Sequence, residues 1–178
     1  MNCKKLMQNI MDVIAEEQIK LGFRSEVIYL YYPLKSLNSL LGTDSDIYEM
    51  NINLSEFSEY AKEYLGKIGI SNRKERFCIA IPPEGAEYVH AHMSENNFLK
   101  SFIETVSKHG CTIEDILGVF GKYSGNVTVK KIEDGEFDYL IYFTDGKPND
   151  YRYCIKFEGC HASYHRFTKD DYLSLGIC

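Results

Sequence analysis

The sequence of 178 residues contains no tryptophan and only 4 prolines, and it has no long apolar run. It also has no stretch rich in serine, glycine and proline, so we expect no long disordered linker. The apolar runs are too short to cross a lipid bilayer. Because acidic residues such as Asp12 and Glu16 interrupt the first 21 residues, we also expect no signal peptide.

Closely spaced cysteine pairs of the CxxC type are absent as well. In a chain without an export signal, scattered cysteines are expected to be free thiols in a reducing cytoplasm. The formal net charge is −6 and the pI about 5.4, which disfavours a nucleic-acid partner without ruling out a local basic patch. The six cysteines are Cys3, Cys78, Cys111, Cys154, Cys160 and Cys178.

The first third of the chain alternates helical and extended patterns. Apolar residues at helical spacing predict a helix over residues 3–21, which Gly22 ends. The β-prone residues 26–32 predict a strand bounded by Pro33. A second helix follows from Pro33 to Leu41, where Gly42 stops it.

A further helix and two strands are predicted next. Asn53 with Glu56 three residues later forms a capping-box pattern, so we expect a helix from there to Leu65. Residues 42–53 are expected to form a loop, with a short extended piece at Ile47–Met50. Two strands, Phe77–Ile81 and Glu87–His92, are expected to meet at a tight turn over residues 82–85. This order of elements resembles a winged helix-turn-helix.

The second half predicts two helices followed by strands. Ser94 is the expected cap of a helix over residues 95–109, and Thr112 with Asp115 predicts the start of the next helix. A strand over residues 127–132 should pair with one over residues 137–143 through Asp134 and Gly135. Residues 151–157 and 161–167 predict the last hairpin, and residues 169–175 a short helix. We therefore predict an α+β fold with a winged-helix-like domain over residues 1–93, followed by a domain over residues 94–178 in which two helices pack on a four-stranded antiparallel sheet.

Three short runs resemble a known family. They are residues 16–22 (EEQIKLG), residues 30–34 (LYYPL) and residues 164–168 (YHRFT) with Asp171 and Tyr172. Together they are similar to an uncharacterised domain-of-unknown-function family of anaerobic Gram-positive gut bacteria, over the whole chain. That resemblance implies no established activity, cofactor or catalytic residue.

The winged-helix resemblance suggests nucleic-acid binding as one candidate function. In that arrangement the second helix would enter the major groove, and Arg73, Lys74 and Arg76 would contact phosphates from the loop before the wing. The same helix, however, carries Glu56, Glu59 and Glu63 along its outer side. Because affinity for duplex DNA depends on cations meeting phosphates, this row favours a scaffold for protein contacts over a reader of DNA.

The histidines allow a metal-binding interpretation. His90 and His92 would share one face of the predicted strand, although a metal site needs a third ligand. His161 and His165 share a face of another strand. The simpler interpretation places all four on the solvent side of antiparallel strands.

The last hairpin suggests an anion site. A two-residue turn at Glu158 and Gly159 would place Arg152 opposite His165, and Lys156 opposite His161. One face would then be rich in cations, which favours a phosphate or carboxylate. A slip of one residue would turn the histidines to the aromatic side instead.

These patterns favour a non-enzymatic cytoplasmic binding or regulatory protein. It would act through protein contacts, or through a small anionic ligand held at the C-terminal sheet by Arg152, Lys156, His161 and His165. The alternatives are a winged-helix DNA-binding regulator that uses Arg73, Lys74 and Arg76, and a metal-dependent or histidine-assisted enzyme built on His90 and His92. We expect no cofactor and no catalytic nucleophile, because Ser163 and Cys154 lack the glycine-flanked turn that such sites use.

Overall fold

The computed structural model describes residues 1–92, 97–133 and 135–175, and the chain forms two compact units, Met1–Glu95 and Asn96–Cys178. Both units combine helices with antiparallel strands, so the predicted α+β class is confirmed. The expected domain boundary and helix cap at Ser94 lie outside the described residues. Within those residues no helix has the length and apolar character needed to span a membrane.

The N-terminal unit is winged-helix-like in its element order. Its sheet is antiparallel and three-stranded, with β3 between β1 and β2. The elements are α1 (Cys3–Leu21), β1 (Ile28–Pro33), α2 (Leu34–Leu41), α3 (Ile47–Leu65), β2 (Gly69–Arg73), β3 (Arg76–Ile81) and α4 (Pro83–His92).

The core of this unit lies between the helices and one face of the sheet. The alternation along β3 turns Phe77, Ile79 and Ile81 inward, where they are fully buried. Apolar stripes of the helices cover them, because residues three and four apart share a helix face. The stripe residues include Leu6, Ile10 and Ile14 of α1, Leu37 and Leu41 of α2, and Leu54, Phe57 and Ala61 of α3.

Helix α3 begins six residues before the predicted Asn53, at Ile47 with Asp46 as N-cap. The Asp46 carboxylate accepts a 2.8 Å hydrogen bond from the Glu49 amide, and the Glu49 carboxylate accepts one of 3.2 Å from the Asp46 amide. The predicted extended piece at Ile47–Met50 is therefore wrong. Asn53 lies inside the helix, where its side-chain amide donates to the Ser45 hydroxyl at 2.8 Å.

We expect Asp46→Ala to lower the free energy of unfolding of the N-terminal unit by about 1 kcal/mol, because two amides at the start of α3 lose the capping box. Urea denaturation followed by circular dichroism measures this. Asp44→Ala is the matched control, since Asp44 is exposed and lies outside the cap. Equal costs for both variants would show that the capping box adds nothing.

The predicted strand Phe77–Ile81 is confirmed as β3, but its hairpin partner is β2 and not residues 87–92. The hairpin is formed by β2 and β3 around Lys74, which has a positive φ of 54°, so residues 71–76 belong to the hairpin itself. The predicted strand Glu87–His92 is wrong, because these residues form the end of α4. Residues 83–85 of the predicted turn are instead the start of α4. Pro83 suits that position because a first-turn residue needs no intrahelical N–H partner.

In the C-terminal unit two helices pack on a four-stranded antiparallel sheet of order β4-β5-β6-β7, as predicted. Thr112 and Asp115 form the predicted capping box at the start of α6. Asp134, in the predicted β4–β5 turn, lies outside the described residues. The elements are α5 (Asn97–Val106), α6 (Ile113–Tyr123), β4 (Val127–Lys131), β5 (Tyr139–Phe143), β6 (Arg152–Glu158), β7 (His161–Phe167) and α7 (Lys169–Leu175).

The register of the last hairpin differs from the prediction by two residues. Arg152 lies opposite Phe167, Cys154 opposite His165, and Lys156 opposite Ser163. The turn is formed by Gly159, with φ of 64°, and Cys160. Because a shift of two residues keeps every side chain on its face, the predicted partners are wrong but the predicted division into two faces holds.

Candidate functional site

The outer face of the N-terminal sheet carries two exposed tyrosines. Strand β1 buries Leu30 and Tyr32 and turns Tyr29 and Tyr31 outward, with 59% and 58% of their surface exposed. Buried Tyr32 donates a 2.9 Å hydrogen bond to the Asn9 side chain, and burial raises the Tyr32 pKa above its ordinary value. Exposed aromatic patches often mark binding sites. The outer face of this sheet, with its two exposed tyrosines, is therefore a candidate binding surface.

The β2–β3 hairpin adds cations to the same face. In the ladder Tyr31 lies opposite Cys78, which in turn lies opposite Ser71, and at the hairpin end Arg73 lies directly opposite Arg76. Directly opposed residues of an antiparallel pair project to the same side of the sheet. Tyr29, Tyr31, Ser71, Arg73, Arg76 and Cys78, called here the Tyr–Arg face, line an open depression of about 640 Å³ together with Asn72.

The geometry of the Tyr–Arg face holds one arginine in place. The Arg76 guanidinium lies over the Tyr31 ring, 5.2 Å from its centroid. The turn itself is fixed to the rest of the unit, because the Leu34 amide donates a 2.7 Å hydrogen bond to the Glu75 carbonyl. The face therefore presents two opposed arginines, one of them over an aromatic ring, an arrangement that can bind an anion and stack a flat ring.

The outer side of α3 has the opposite charge. Glu56, Glu59 and Glu63 are all exposed, as the sequence predicted, and the Glu59 carboxylate lies 3.6 Å from the Lys62 ammonium. Around them Tyr48 and Ile52 are also exposed. A helix with this surface would bring carboxylates towards the phosphates of a duplex, which opposes binding.

The four residues of the predicted C-terminal anion site are each engaged separately. Arg152 is 9% exposed, lies over the Tyr142 ring at 4.1 Å and contacts the Asp150 carboxylate at 3.1 Å. The Lys156 ammonium lies 3.2 Å from the Glu158 carboxylate. His165 stacks with Phe167, whereas His161 lies beside His109. An anion site formed by these four residues stays a prediction.

His90 and His92 lie on α4 and not on a strand. The His90 ring stacks on Phe23 with centroids 4.3 Å apart. The His92 ring stacks on Tyr88 at 4.1 Å, and its Nδ1 lies 2.9 Å from the Tyr88 carbonyl oxygen. Residues two apart on a helix point in different directions, so the shared face that motivated a metal site at this pair is absent.

The buried thiols are poorly suited to nucleophilic chemistry. Burial raises the pKa of Cys154 to about 11, so this thiol stays protonated near neutral pH. Burial, followed by the nearby Asp115 carboxylate, also raises the pKa of Cys111.

Sequence reasoning found the cations of the Tyr–Arg face but missed its tyrosines. The alternation of β1 contained the signal, because the residues that flank buried Leu30 must point outward. It also missed the pairing of His161 with His109, since these residues come from distant parts of the chain.

A model of one protein family matches residues 3–176 of the chain, and its description is a domain of unknown function with an E. rectale gene description (DUF3877). This agrees with the uncharacterised family of gut bacteria that the sequence motifs resemble. No curated protein matches the chain, and no solved structure matches it. The comparisons do not confirm the resemblance to winged helix-turn-helix proteins.

Proposed function

The chain belongs to the DUF3877 family, whose function is unknown, and we propose that it is a non-enzymatic binding protein that holds a small anionic ligand on the Tyr–Arg face. The observation that carries this proposal is the direct opposition of Arg73 and Arg76 on one sheet face, beside exposed Tyr29 and Tyr31. The sequence predicted the same class of ligand, a small anion, but placed it on the C-terminal sheet. The site proposed here is on the N-terminal sheet.

Electrostatics supports an anion between the two arginines. Like charges directly opposite each other in an antiparallel pair destabilise the sheet. Lys74 adds a third cation beside them, and Glu75 is the one acidic residue between Arg73 and Arg76. A phosphate or carboxylate would relieve the repulsion and accept charge-assisted hydrogen bonds from both guanidinium groups.

The tyrosines support a ligand that also contains a flat ring. Tyrosine rings stack on planar groups, and stacking contributes about 1–3 kcal/mol per nucleobase in proteins that bind single strands. A depression of about 640 Å³ is of the size that small ligands occupy. Phosphate on the arginines and a ring on Tyr29 or Tyr31 is the chemistry of a nucleotide, either free or within a single strand.

We expect the double variant Arg73→Ala/Arg76→Ala to weaken AMP binding by at least about 100-fold, because it removes two charge-assisted hydrogen bonds that contribute about 1.5–3 kcal/mol each. Isothermal titration calorimetry at low salt measures this. Lys130→Ala/Lys131→Ala is the matched control, because it also removes two exposed cations but from strand β4.

The ligand panel separates the parts of the proposal. AMP should bind more tightly than inorganic phosphate, and Tyr29→Ala should reduce that difference while leaving phosphate binding unchanged, because Tyr29 does not contact the Arg76 guanidinium as Tyr31 does. A single-stranded oligonucleotide that binds more tightly than AMP would show that the ligand is a nucleotide within a single strand and not a free nucleotide. Undetectable AMP binding, or an equal loss in the lysine control, would contradict the proposal.

The winged-helix-like order of the N-terminal unit favours one other function, a DNA-binding regulator. In that function Arg73, Lys74 and Arg76 would contact phosphates from the hairpin. A duplex of the same length as the single strand is the test. Tight, strongly salt-dependent duplex binding would replace the small-ligand proposal, because it would show that the exposed glutamates of α3 do not prevent docking.

A further inference from the structure

In the C-terminal unit the loop between α5 and α6 meets the turn between β6 and β7 at three metal-ligating side chains. His109 comes from the loop, whereas Cys160 and His161 come from the turn and the start of β7. One ligand atom from each side chain lies within 4.8 Å of the other two, and all three residues are exposed. This is the one such cluster among the described residues.

The two segments are joined by their backbones. The Gly110 amide donates a 2.8 Å hydrogen bond to the Cys160 carbonyl, directly beside the cluster. Gly110 and Gly159 have φ values of 75° and 64°, which glycine adopts without strain, so both tight bends are built into the sequence. The ring centroids of His109 and His161 lie 5.3 Å apart at an interplanar angle of 76°.

We propose that His109, Cys160 and His161 bind one Zn²⁺ ion with three protein ligands and an open fourth position. Thiolate and imidazole are the ligands that Zn²⁺ prefers, at about 2.3 Å for sulfur and about 2.0–2.1 Å for nitrogen. In a tetrahedral site these bonds place ligand atoms closer together than 4.8 Å. Exposed side chains can close that difference by small rotations.

The surroundings of the cluster leave its three side chains available to bind a metal ion. Within the described residues, no hydrogen bond occupies a side chain of His109, Cys160 or His161. Two neighbouring carboxylates are engaged elsewhere, since Asp115 accepts hydrogen bonds from Thr112 and Glu158 lies 3.2 Å from Lys156. His109 also lines a groove of about 410 Å³, and because all three cluster residues are exposed, water or an anion can reach the fourth position.

The zinc proposal and the proposed function rest on different residues, because the cluster belongs to the C-terminal unit and the Tyr–Arg face to the N-terminal unit. It goes beyond the proposed function and can fail without affecting it. It also differs from the metal site that the sequence suggested, because His90 and His92 each stack on an aromatic ring of the N-terminal unit.

Zinc titration in competition with a chromophoric chelator tests the proposal on the full chain, purified in the reduced state. We expect one ion per chain, and at least tenfold weaker binding in each of Cys160→Ser, His109→Ala and His161→Ala. The matched controls are Cys3→Ser and His92→Ala, which remove the same ligand types outside the cluster and should leave the affinity unchanged. Circular dichroism checks that every variant is folded.

Cobalt substitution gives a second measurement. Co²⁺ bound by a thiolate shows a charge-transfer absorption band, which should appear with the wild-type chain, vanish in Cys160→Ser and persist in Cys3→Ser. The proposal is overturned if the wild-type chain binds no more Zn²⁺ than a triple variant that combines Cys160→Ser, His109→Ala and His161→Ala. It is equally overturned if the Co²⁺ band persists without Cys160, or if the control variants lose as much affinity as the cluster variants.

Discussion

Replacing Phe102 with alanine is expected to lower the free energy of unfolding of the C-terminal unit by about 3–5 kcal/mol. Phe102 is fully buried on α5. Its ring centroid lies 4.9 Å from that of Tyr153 on β6 and 4.7 Å from that of Tyr164 on β7. It also contacts Phe98 and Phe120, each at 5.9 Å, so the substitution opens a cavity where helices and sheet meet.

Urea denaturation followed by near-ultraviolet circular dichroism measures this loss, because the tyrosines of the unit report on packing. Leu173→Ala is the control, since Leu173 is 64% exposed and an exposed side chain away from special features changes stability by no more than about 0.5 kcal/mol. Phe102→Leu should cost less than Phe102→Ala because more of the volume remains filled. A loss for Phe102→Ala no larger than that for Leu173→Ala would show that the rings do not form a packed core.

Gly85→Ala is expected to destabilise the N-terminal unit by about 1–3 kcal/mol, although alanine is the better helix former. Gly85 is buried in the first turn of α4. A Cβ atom there would lie 2.6 Å from Cγ2 of Ile81 and 2.7 Å from the carbonyl oxygen of Leu65. Because one of the two obstacles is backbone at the end of α3, the clash cannot be relieved by a side-chain rotation alone.

Gly121→Ala is the matched control for this effect. Gly121 also lies within a helix, α6, but a Cβ atom there would have no neighbour within 4 Å. Alanine should therefore stabilise α6 by about 0.5–1 kcal/mol, through its lower loss of backbone entropy. Thermal unfolding of both variants measures the difference. Destabilisation at both positions, or at neither, would contradict the close approach at Gly85.

Local signals predicted the elements whose ends carry unambiguous chemistry. Thr112 with Asp115 fixed the start of α6, and Gly42 fixed the end of α2. The start of α3 was missed because two segments, Asp46 to Glu49 and Asn53 to Glu56, share the same capping pattern. Only the folded chain distinguishes them. The helix begins at the earlier segment, so that Met50 lies in α3 and is buried in the core.

The prediction at α4 was wrong because the segment is short. Residues 87–92 mix polar and less polar side chains over six positions, a length at which helix and strand patterns overlap. What decides the structure is burial of Ala86 and Val89, three residues apart on one helix face. The candidate sites were harder to predict for a different reason. Pairing of Arg73 with Arg76 requires strand β2, which was not predicted, and contact of His109 with His161 joins distant parts of the chain, which local patterns do not reveal.

Strand β2 is an edge strand of the N-terminal sheet, and this position gives Arg73 a second role. A border strand offers unpaired backbone groups to other molecules, and charged side chains on it discourage such intermolecular pairing and the aggregation that follows. Loss of Arg73 therefore removes both an anion contact and a guard against self-association. Arg73→Lys separates the two roles, because lysine keeps the charge on the border strand but lacks the planar fork that grips an anion with two parallel hydrogen bonds.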